Sequence, residues 1–262
     1  LDNAEDGAVA TQGNTEITKQ GGLLSYEGND AGTQVLYNTL STPKGRTYKL
    51  SLPDGSKVWL NAASSIRFPT AFTGWQRNVE ITGEAYFEVK KDVKRPFRVT
   101  ANQRAAIEVL GTSFNVNAYD NEEFLRTTLL TGSVRIQAWG QADVGKGVLL
   151  KPGQQAQLKS AHAVQSFDQS VAITVVNTPN IQNIMGWKDG YFGLDDLTLE
   201  ELMRDVERWY DVEVVYEKGI PAKAFFGKVS RDLSLIDFMD GLKDWGVRFR
   251  LEGNKLIVTG VR

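Results

Sequence analysis

Cysteine is absent from this chain of 262 residues. Its absence excludes disulfide bonds, thiolate nucleophiles and cysteine-based zinc or iron-sulfur sites. Histidine is nearly absent as well, because His162 is the only one. Any imidazole triad or histidine-based metal site would depend on that one residue. His162 has serine and alanine neighbours and no partner motif, so we interpret it as a surface residue.

An excess of either charge is also missing. The 30 Lys and Arg residues nearly balance the 32 Asp and Glu residues, which leaves a formal net charge of -2. This balance argues against nucleic acid or an anionic membrane surface as a partner. No signal peptide or membrane span is visible, and the first 13 residues are small, polar and acidic. We therefore predict a flexible lead-in over residues 1–38.

Strand-like alternation is the main pattern of residues 39–176. Apolar and polar residues alternate in Tyr48–Leu52, and Pro53-Asp54-Gly55 then turns the chain into a second run. Similar short runs follow, separated by turn clusters such as Gly132-Ser133 and Pro152-Gly153. This spacing predicts an all-β domain, a jelly-roll-like β-sandwich, with a parallel β-solenoid as the second choice.

A different pattern begins after a proline-containing stretch, residues 177–186, which we interpret as a linker. Two apolar stripes at helical spacing follow, offset by 36 residues, so that Leu197 matches Leu233 and Trp209 matches Trp245. Each helix has a predicted capping residue followed three positions later by an acid, and each is followed by a strand. Residues 187–262 are therefore predicted to form a small α+β domain, a two-helix βαβ repeat whose stripes form its core.

No motif for a cofactor or a metal emerges from the remaining polar residues. Phosphate-loop and dinucleotide spacings are absent. Acidic residues cluster at 120–123, and again at Asp195-Asp196 with Glu200-Glu201, but neither cluster has the ligand spacing of a calcium loop. We interpret both as solvated or helix-capping groups, and the basic run at 90–95 as a solvated turn. A hydrolase would need two acids in one cleft, and these clusters lie in separate domains.

Three tryptophans of the β domain leave a carbohydrate-binding module as the alternative function. Trp59, Trp75 and Trp139 would form a sugar platform if they were exposed on one face. Trp59 is out of phase with its apolar neighbours Val58 and Leu60, so it points to the opposite face of its strand. Coverage by other residues is the fate we expect for it.

Five strings follow each other in a recognisable order: YKLSLPDGSKVWLNA from Tyr48, GEAYFEV from Gly83, VLGTSFNV from Val109, LTGSV from Leu130 and LKPGQQA from Leu150. Together they resemble the FecR family of sigma-factor regulators. The second domain resembles the domain that follows FecR in many Gram-negative uptake systems, which is itself similar to the short signalling domain of secretins and TonB-dependent receptors. The resemblance covers roughly residues 39–258.

The resemblance implies a non-catalytic relay. In it, an outer-membrane TonB-dependent receptor contacts the FecR-like protein through its periplasmic signalling domain, and a sigma factor is released in the cytoplasm. This chain would be the periplasmic part alone, and the sigma factor and the membrane would be reached only through an anti-sigma segment and a transmembrane helix that have no counterpart in it. An open strand edge in the second domain would accept the partner. The candidate strands contain Val212, Val214 and Tyr216, or Phe225 and Val229.

One pair of residues carries chemistry that the resemblance implies. Some family members resemble self-cleaving proteins that break a Gly-Thr bond, and the matching pair here is Gly111-Thr112. The threonine hydroxyl would attack the preceding carbonyl, and water would open the resulting ester. The alternative is that Gly111 relieves a tight strand junction and that Thr112 begins the next strand. We favour this alternative.

Overall fold

The computed structural model describes residues 6–12, 15–28, 35–139, 147–159, 172–177, 179–195, 197–220 and 222–261. The chain divides into two compact units. Residues 1–42 and 47–179 form the first unit, and residues 43–46 and 180–262 form the second. The predicted order, a β-rich domain followed by a small α/β domain, is confirmed.

The described elements of the first unit are all strands. They are β1 (Gly7–Gln12), β2 (Thr15–Gln20), β3 (Leu23–Gly28), β4 (Tyr37–Ser41), β5 (Tyr48–Ser51), β6 (Lys57–Leu60), β7 (Ser65–Pro69), β8 (Arg77–Glu88), β9 (Phe97–Ala101), β10 (Ala105–Val109), β11 (Ser113–Ala118), β12 (Phe124–Thr131), β13 (Val134–Ala138), β14 (Val148–Leu150), β15 (Gln154–Lys159) and β16 (Ile173–Asn177).

These strands form two sheets that share one strand. The long sheet has the order β1-β2-β3-β5-β6-β8-β11-β12-β15-β16, and the short sheet has the order β4-β7-β8-β9-β10-β13-β14. The hairpins β9–β10 and β11–β12 lie in different sheets, as do β13–β14 and β15–β16. All but two of the described strand pairs of the first unit are antiparallel, the exceptions being β3 with β5 and β8 with β9. This pairing argues against the parallel β-solenoid, whose strands would pair in parallel throughout.

Strand β8 changes sheets at Gly83. Residues 77–82 pair with β7 and β9, whereas residues 83–88 pair with β6 and β11. Gly83 has a φ of 75°, in the left-handed region that residues with a side chain rarely adopt. A Cβ at this position would lie 2.8 Å from the Cα of Ser64. Both the backbone twist and the close approach therefore require glycine where the strand changes sheets.

The two sheets enclose one hydrophobic core. Long-sheet residues such as Leu50 and Phe114 and short-sheet residues such as Val99 and Ile107 are fully buried within it. Phe87 of β8 stacks on Phe114 with ring centroids 5.0 Å apart. The alternating runs identified in the sequence supply these residues, because every second side chain of a strand faces the same side. The predicted periodicity therefore marks the core-facing residues correctly.

A buried ion pair fixes the loops at one end of β8. Arg77 is 1% exposed and donates to Asp54 Oδ2 at 2.6 Å. It also donates to the carbonyl oxygens of Lys90 and Arg95, at 2.8 and 2.9 Å. The β5–β6 turn, the start of β8 and the β8–β9 loop are thus joined through one guanidinium.

The amino-terminal segment differs from the flexible lead-in predicted for residues 1–38. Strands β1, β2 and β3 occupy its described part, and β3 pairs in parallel with β5. Leu24 and Tyr26 are buried in the core of the first unit, and Ile17 packs against it. The apolar residues of this segment are few and widely spaced, so its alternation was too weak to predict strands.

The second unit contains three helices and five strands among its described residues. They are α1 (Ile181–Met185), β17 (Tyr191–Gly193), α2 (Leu199–Tyr210), β18 (Glu213–Tyr216), β19 (Lys228–Ser230), α3 (Leu235–Asp244), β20 (Val247–Glu252) and β21 (Lys255–Val261). Strands β17 and β19 form a two-stranded sheet, and a three-stranded sheet has the order β18-β21-β20. The sequence predicted a strand after each helix, and it missed β17 because a three-residue strand carries almost no periodic signal.

The repeated helices have the caps and the buried faces that the sequence predicted. Thr198 and Glu201 form the reciprocal capping box of α2, and Ser234 Oγ accepts from the backbone N–H of Asp237 at α3. The apolar stripes of both helices belong to the core of the second unit, with Leu202 and Phe238 almost wholly buried. The prediction that these stripes serve packing is confirmed for both helices.

The predicted linker at residues 177–186 contains regular structure. Asn177 ends β16, and the short helix α1 begins at Ile181. The side chain of Asn180 caps this helix by accepting from the backbone N–H of Asn183 at 3.2 Å. Five helical residues are too few to produce a visible stripe, which explains why the segment was predicted to be a linker.

We expect Gly83→Ala to lower the free energy of unfolding by about 2–5 kcal/mol, because it adds a steric clash to an unfavourable φ. Gly153→Ala is the matched control, since Gly153 has a φ of 83° and no atom lies within 4 Å of the position that an added Cβ would take. It should cost only about 1–2 kcal/mol. Urea unfolding measures both variants, and equal losses would show that the contact with Ser64 is unimportant.

We expect Asp54→Ala to lower the free energy of unfolding by about 3–5 kcal/mol, because it leaves the buried Arg77 guanidinium without its charged partner. The double variant Asp54→Ala/Arg77→Met should lose less than Asp54→Ala, since no buried charge then remains. Urea unfolding of the three proteins measures the difference. A double variant less stable than the single one would contradict this account.

Candidate functional site

The first candidate site is the free edge of the three-stranded sheet of the second unit. Strand β18 lies at one end of this sheet, and among the described residues it pairs, in parallel, only with β21. Val214 and Tyr216 are half-buried on β18 and pack against the core. Val212, which was predicted with them, precedes the strand and is buried in that core, so its side chain is not presented to a partner.

The second candidate strand, predicted to contain Phe225 and Val229, is not one continuous strand in the structure. Phe225 is fully buried, and its backbone forms only an isolated bridge with Asp195. Val229 lies in β19, where it pairs with Phe192 of β17. The five predicted contact residues therefore do not lie on one strand or in one sheet. Of the two predicted edges, β18 has the longer described strand.

Backbone donors of β18 alternate between β21 and the free edge. The N–H groups of Glu213 and Glu217 donate to Asn254 and Val258 carbonyls, at 2.9 and 3.0 Å. Because successive N–H groups of a strand point to opposite sides, those of Val214 and Tyr216 point to the free edge. Val214 N–H donates to Glu207 Oε1 at 2.8 Å. A carboxylate from α2 thus occupies one donor of the edge.

Charged residues of α2 surround the outer side of β18. Glu200 and Arg204 form an ion pair at 3.0 Å, and Arg204 lies about one helical turn before Glu207. Burial and, to a smaller extent, the Glu200 carboxylate raise the pKa of Tyr216 to about 12, and Arg204 opposes this shift. Sequence reasoning missed Glu207. Its only signal is its place with Glu200 and Arg204 on the polar face of α2, at helical spacing.

The opposite edge of the same sheet carries a different set of groups. Three of the six residues of strand β20 are charged, Arg248, Arg250 and Glu252, whereas β18 has one charged residue, Glu213. Arg250 Nε lies 2.7 Å from Glu252, and its Nη1 lies 3.6 Å from Glu217, which follows β18. Charged side chains on an edge strand disfavour pairing with a second chain. The edge at β18 is therefore the more suitable of the two for strand addition.

The second candidate site is the Gly111-Thr112 pair of the first unit. Thr112 is buried, and its hydroxyl donates to the carbonyl oxygen of Ser133 at 3.1 Å. A Cβ at Gly111 would lie 2.6 Å from the Cα of Lys91. Glycine is therefore required here by the close approach of the β8–β9 loop, independently of any cleavage reaction.

The acidic clusters have structural partners. Asp195 accepts from the backbone N–H of Gly227 at 2.6 Å, and Glu201 caps α2. Asp120 accepts from the side chain of Asn102, and Glu122 lies 3.9 Å from Arg126. Within the described ranges no group of three or more His, Asp or Glu residues has a metal-binding arrangement. Asp196 and His162 lie outside the described residues.

The three tryptophans do not form a common platform. Trp59 lies on β6 of the long sheet, where its ring packs against Tyr86 and the amine of Lys49. Trp139 follows β13 of the short sheet, and the highly exposed Trp75 lies between β7 and β8. The arrangement that would favour a carbohydrate-binding module is therefore not met. The expectation that Trp59 is covered agrees with its ring contacts.

Comparisons with known proteins agree with the fold and with the motifs. The model of the FecR protein family matches residues 38–135, and the model of the FecR carboxyl-terminal domain matches residues 191–258. A crystal structure at 1.65 Å of a proposed anti-sigma factor from Parabacteroides distasonis has a TM-score of 0.73 and 27% identity, and it covers 86% of this chain and 100% of that one.

A second crystal structure, at 2.50 Å, of a proposed anti-sigma factor from the same organism gives a TM-score of 0.73 and 28% identity. It covers 87% of this chain and 100% of that one. Comparison with curated proteins gives no match. The two family models follow each other in the order that the sequence strings predicted, and they fall in the first and second units respectively. The chain belongs to the FecR family.

Proposed function

We propose that this chain is the periplasmic sensor and adaptor region of an anti-sigma factor, which receives a signal from an outer-membrane TonB-dependent receptor and relays it towards a sigma factor. Membership of the FecR family and the likeness to two proposed anti-sigma factors support a regulatory rather than an enzymatic role. In the described parts of the chain, no helix has the length and apolar character needed to cross a membrane.

The observation that carries this proposal is the free edge of β18. A partner strand added there would gain backbone hydrogen bonds from Val214 and Tyr216, while side-chain contacts select the partner. Glu207 now accepts from Val214 N–H, so the incoming strand would replace this carboxylate with a backbone carbonyl. The edge would then be protected until a partner with better complementarity arrives.

The likeness of the second unit to the short signalling domain of secretins and TonB-dependent receptors is part of the same proposal. Strands β17 and β19 each precede one of the repeated helices and pair antiparallel with each other. Two similar helix-strand halves thus close on one core. A receptor signalling domain of comparable size would meet a small, open-edged sheet rather than a deep pocket.

The relay is tested by calorimetric titration of the whole chain with the periplasmic signalling domain of the TonB-dependent receptor encoded beside it. Val214→Pro removes a donor that faces the edge but none that faces β21, so we expect about tenfold weaker binding. Glu207→Ala should tighten binding about three- to tenfold, because it removes the competing acceptor.

Glu207→Gln is the control for this titration, since its amide oxygen still accepts from Val214 N–H, and its affinity should stay near that of the unchanged chain. No saturable binding, with both proteins folded, would reject the adaptor role. If binding is saturable but Val214→Pro leaves the affinity unchanged, the relay is retained and the β18 edge is rejected as the contact site.

For Gly111-Thr112 we propose a packing role rather than self-cleavage, because the Thr112 hydroxyl donates to a neutral carbonyl and Gly111 admits the Lys91 backbone. Intact-mass measurement of the purified chain should give one full-length species. Two fragments separated between residues 111 and 112 would establish self-cleavage instead. Gly111→Ala should lower the free energy of unfolding by about 1–3 kcal/mol through overpacking.

A further inference from the structure

A groove on the first unit is lined by cations and exposed apolar side chains that the proposed relay does not use. It has a volume of about 390 Å³, within the range of about 300–1,000 Å³ typical of ligand pockets. Its walls come from the β8–β9 loop, the β10–β11 junction, the turn between β12 and β13, and strand β14. Four separate segments of the first unit thus converge on it.

Three large apolar side chains of this groove are exposed. Val93, Leu110 and Leu149 are 64%, 44% and 59% exposed to solvent. Each of them belongs to a different segment of the groove. Single exposed apolar residues are ordinary on protein surfaces, whereas several around one concave site indicate a contact surface. The groove therefore offers apolar contacts that the isolated chain leaves in water.

Two cations of the groove have no charged partner. Among the described residues, neither Lys91 nor Arg135 takes part in an ion pair or a side-chain hydrogen bond. Lys91 is held against Gly111 by the close approach of the β8–β9 loop. Arg135 lies on β13 with its Cγ near Gly147. Unpaired cations on a fixed scaffold retain their full attraction for an incoming carboxylate.

The register of the short sheet places further charges in one row beside the groove. Glu108 of β10 lies opposite Arg98 of β9 on one side and opposite Arg135 of β13 on the other, and Leu149 of β14 follows Arg135. Arg98 is 6.0 Å from the ring of Trp139. The lining of the groove thus contains two cations, Lys91 and Arg135, and one carboxylate, Glu108. The net positive charge is complementary to an acidic ligand.

The shape of the site favours an extended chain over a compact ligand. Strand β14 is the last strand of the short sheet, so one of its edges has no neighbouring strand among the described residues. The lining also includes Gly111 and Gly132, but the space that their side chains would take is filled by Lys91 and Thr112, so the edge of β14 is the feature that favours an extended chain. Leu149 of β14 and Leu110 at the junction would contact apolar side chains on either side of the acidic one.

We propose that this groove binds an extended acidic segment of a partner protein, with a carboxylate between Lys91 and Arg135 and flanking apolar side chains on Val93, Leu110 and Leu149. This contact is separate from the β18 edge and does not depend on the receptor relay.

The test uses a labelled peptide, acetyl-Leu-Asp-Ile-Glu-Leu-amide, titrated into the whole ¹⁵N-labelled chain, with affinity measured by fluorescence anisotropy. We expect amide shifts confined to residues 91–93, 108–112, 132–135 and 149. Lys91→Gln/Arg135→Gln should weaken binding about tenfold. Leu149→Ser should weaken it severalfold through lost apolar contact.

The controls match charge and composition. Lys218→Gln removes one exposed lysine of the second unit and should leave the affinity unchanged. The neutral peptide acetyl-Leu-Asn-Ile-Gln-Leu-amide should bind about tenfold more weakly. Equal binding of both peptides, shifts outside the groove, or an affinity unaffected by the double variant would overturn the proposal. Phosphatidylglycerol vesicles are titrated in the same way. If they bind through Lys91 and Arg135 and the acidic peptide does not bind, the ligand of the groove is an anionic membrane and not a protein partner.

Discussion

The architecture of the first unit depends on β8, which serves two sheets at once. Its first half pairs in the short sheet and its second half in the long sheet, and the left-handed backbone of Gly83 joins the halves. Arg77 at the start of the strand binds the carbonyls of the loop that follows its end. The strand and its loop are thereby fixed together, and Lys91 is held in that loop against Gly111. The position of Lys91 at the surface therefore depends on how β8 and the loop after it are held in the first unit.

The second unit shows how a repeated sequence gives unequal surfaces. Both halves contribute a capped helix and a following strand, yet β21 pairs in parallel with β18 and antiparallel with β20. The two outer strands of the sheet therefore run in opposite directions. At β18 a helix carboxylate, Glu207, occupies a donor, whereas at β20 charged side chains of the strand itself lie at the edge. The edge at β18 is the one that we propose for a partner strand.

A regulator of this kind works through surfaces rather than through reactive groups, and the chemistry of the chain agrees with that role. The acids that cluster in the sequence cap a helix or pair with neighbouring side chains, and the Thr112 hydroxyl donates to a carbonyl. The two contact features that we propose are the β18 edge in the second unit and the groove with Lys91 and Arg135 in the first. Both are contact features of the type that proteins use to recognise extended segments.

The sequence by itself determined the periodicities: the strands of residues 48–158, the two capped helices with their apolar stripes, their offset of 36 residues and the family motifs. Local backbone and burial preferences suffice for these, because a repeat of two or 3.6 residues is visible in the order of apolar and polar residues.

Tertiary structure decided the rest. Strands β1–β3 form by pairing rather than by strong patterning, Phe225 and Val212 became core, and Glu207 reached Val214 N–H only because α2 packs beside β18. The groove likewise joins four segments distant in sequence. Such contacts depend on which elements become neighbours, and no local pattern encodes that.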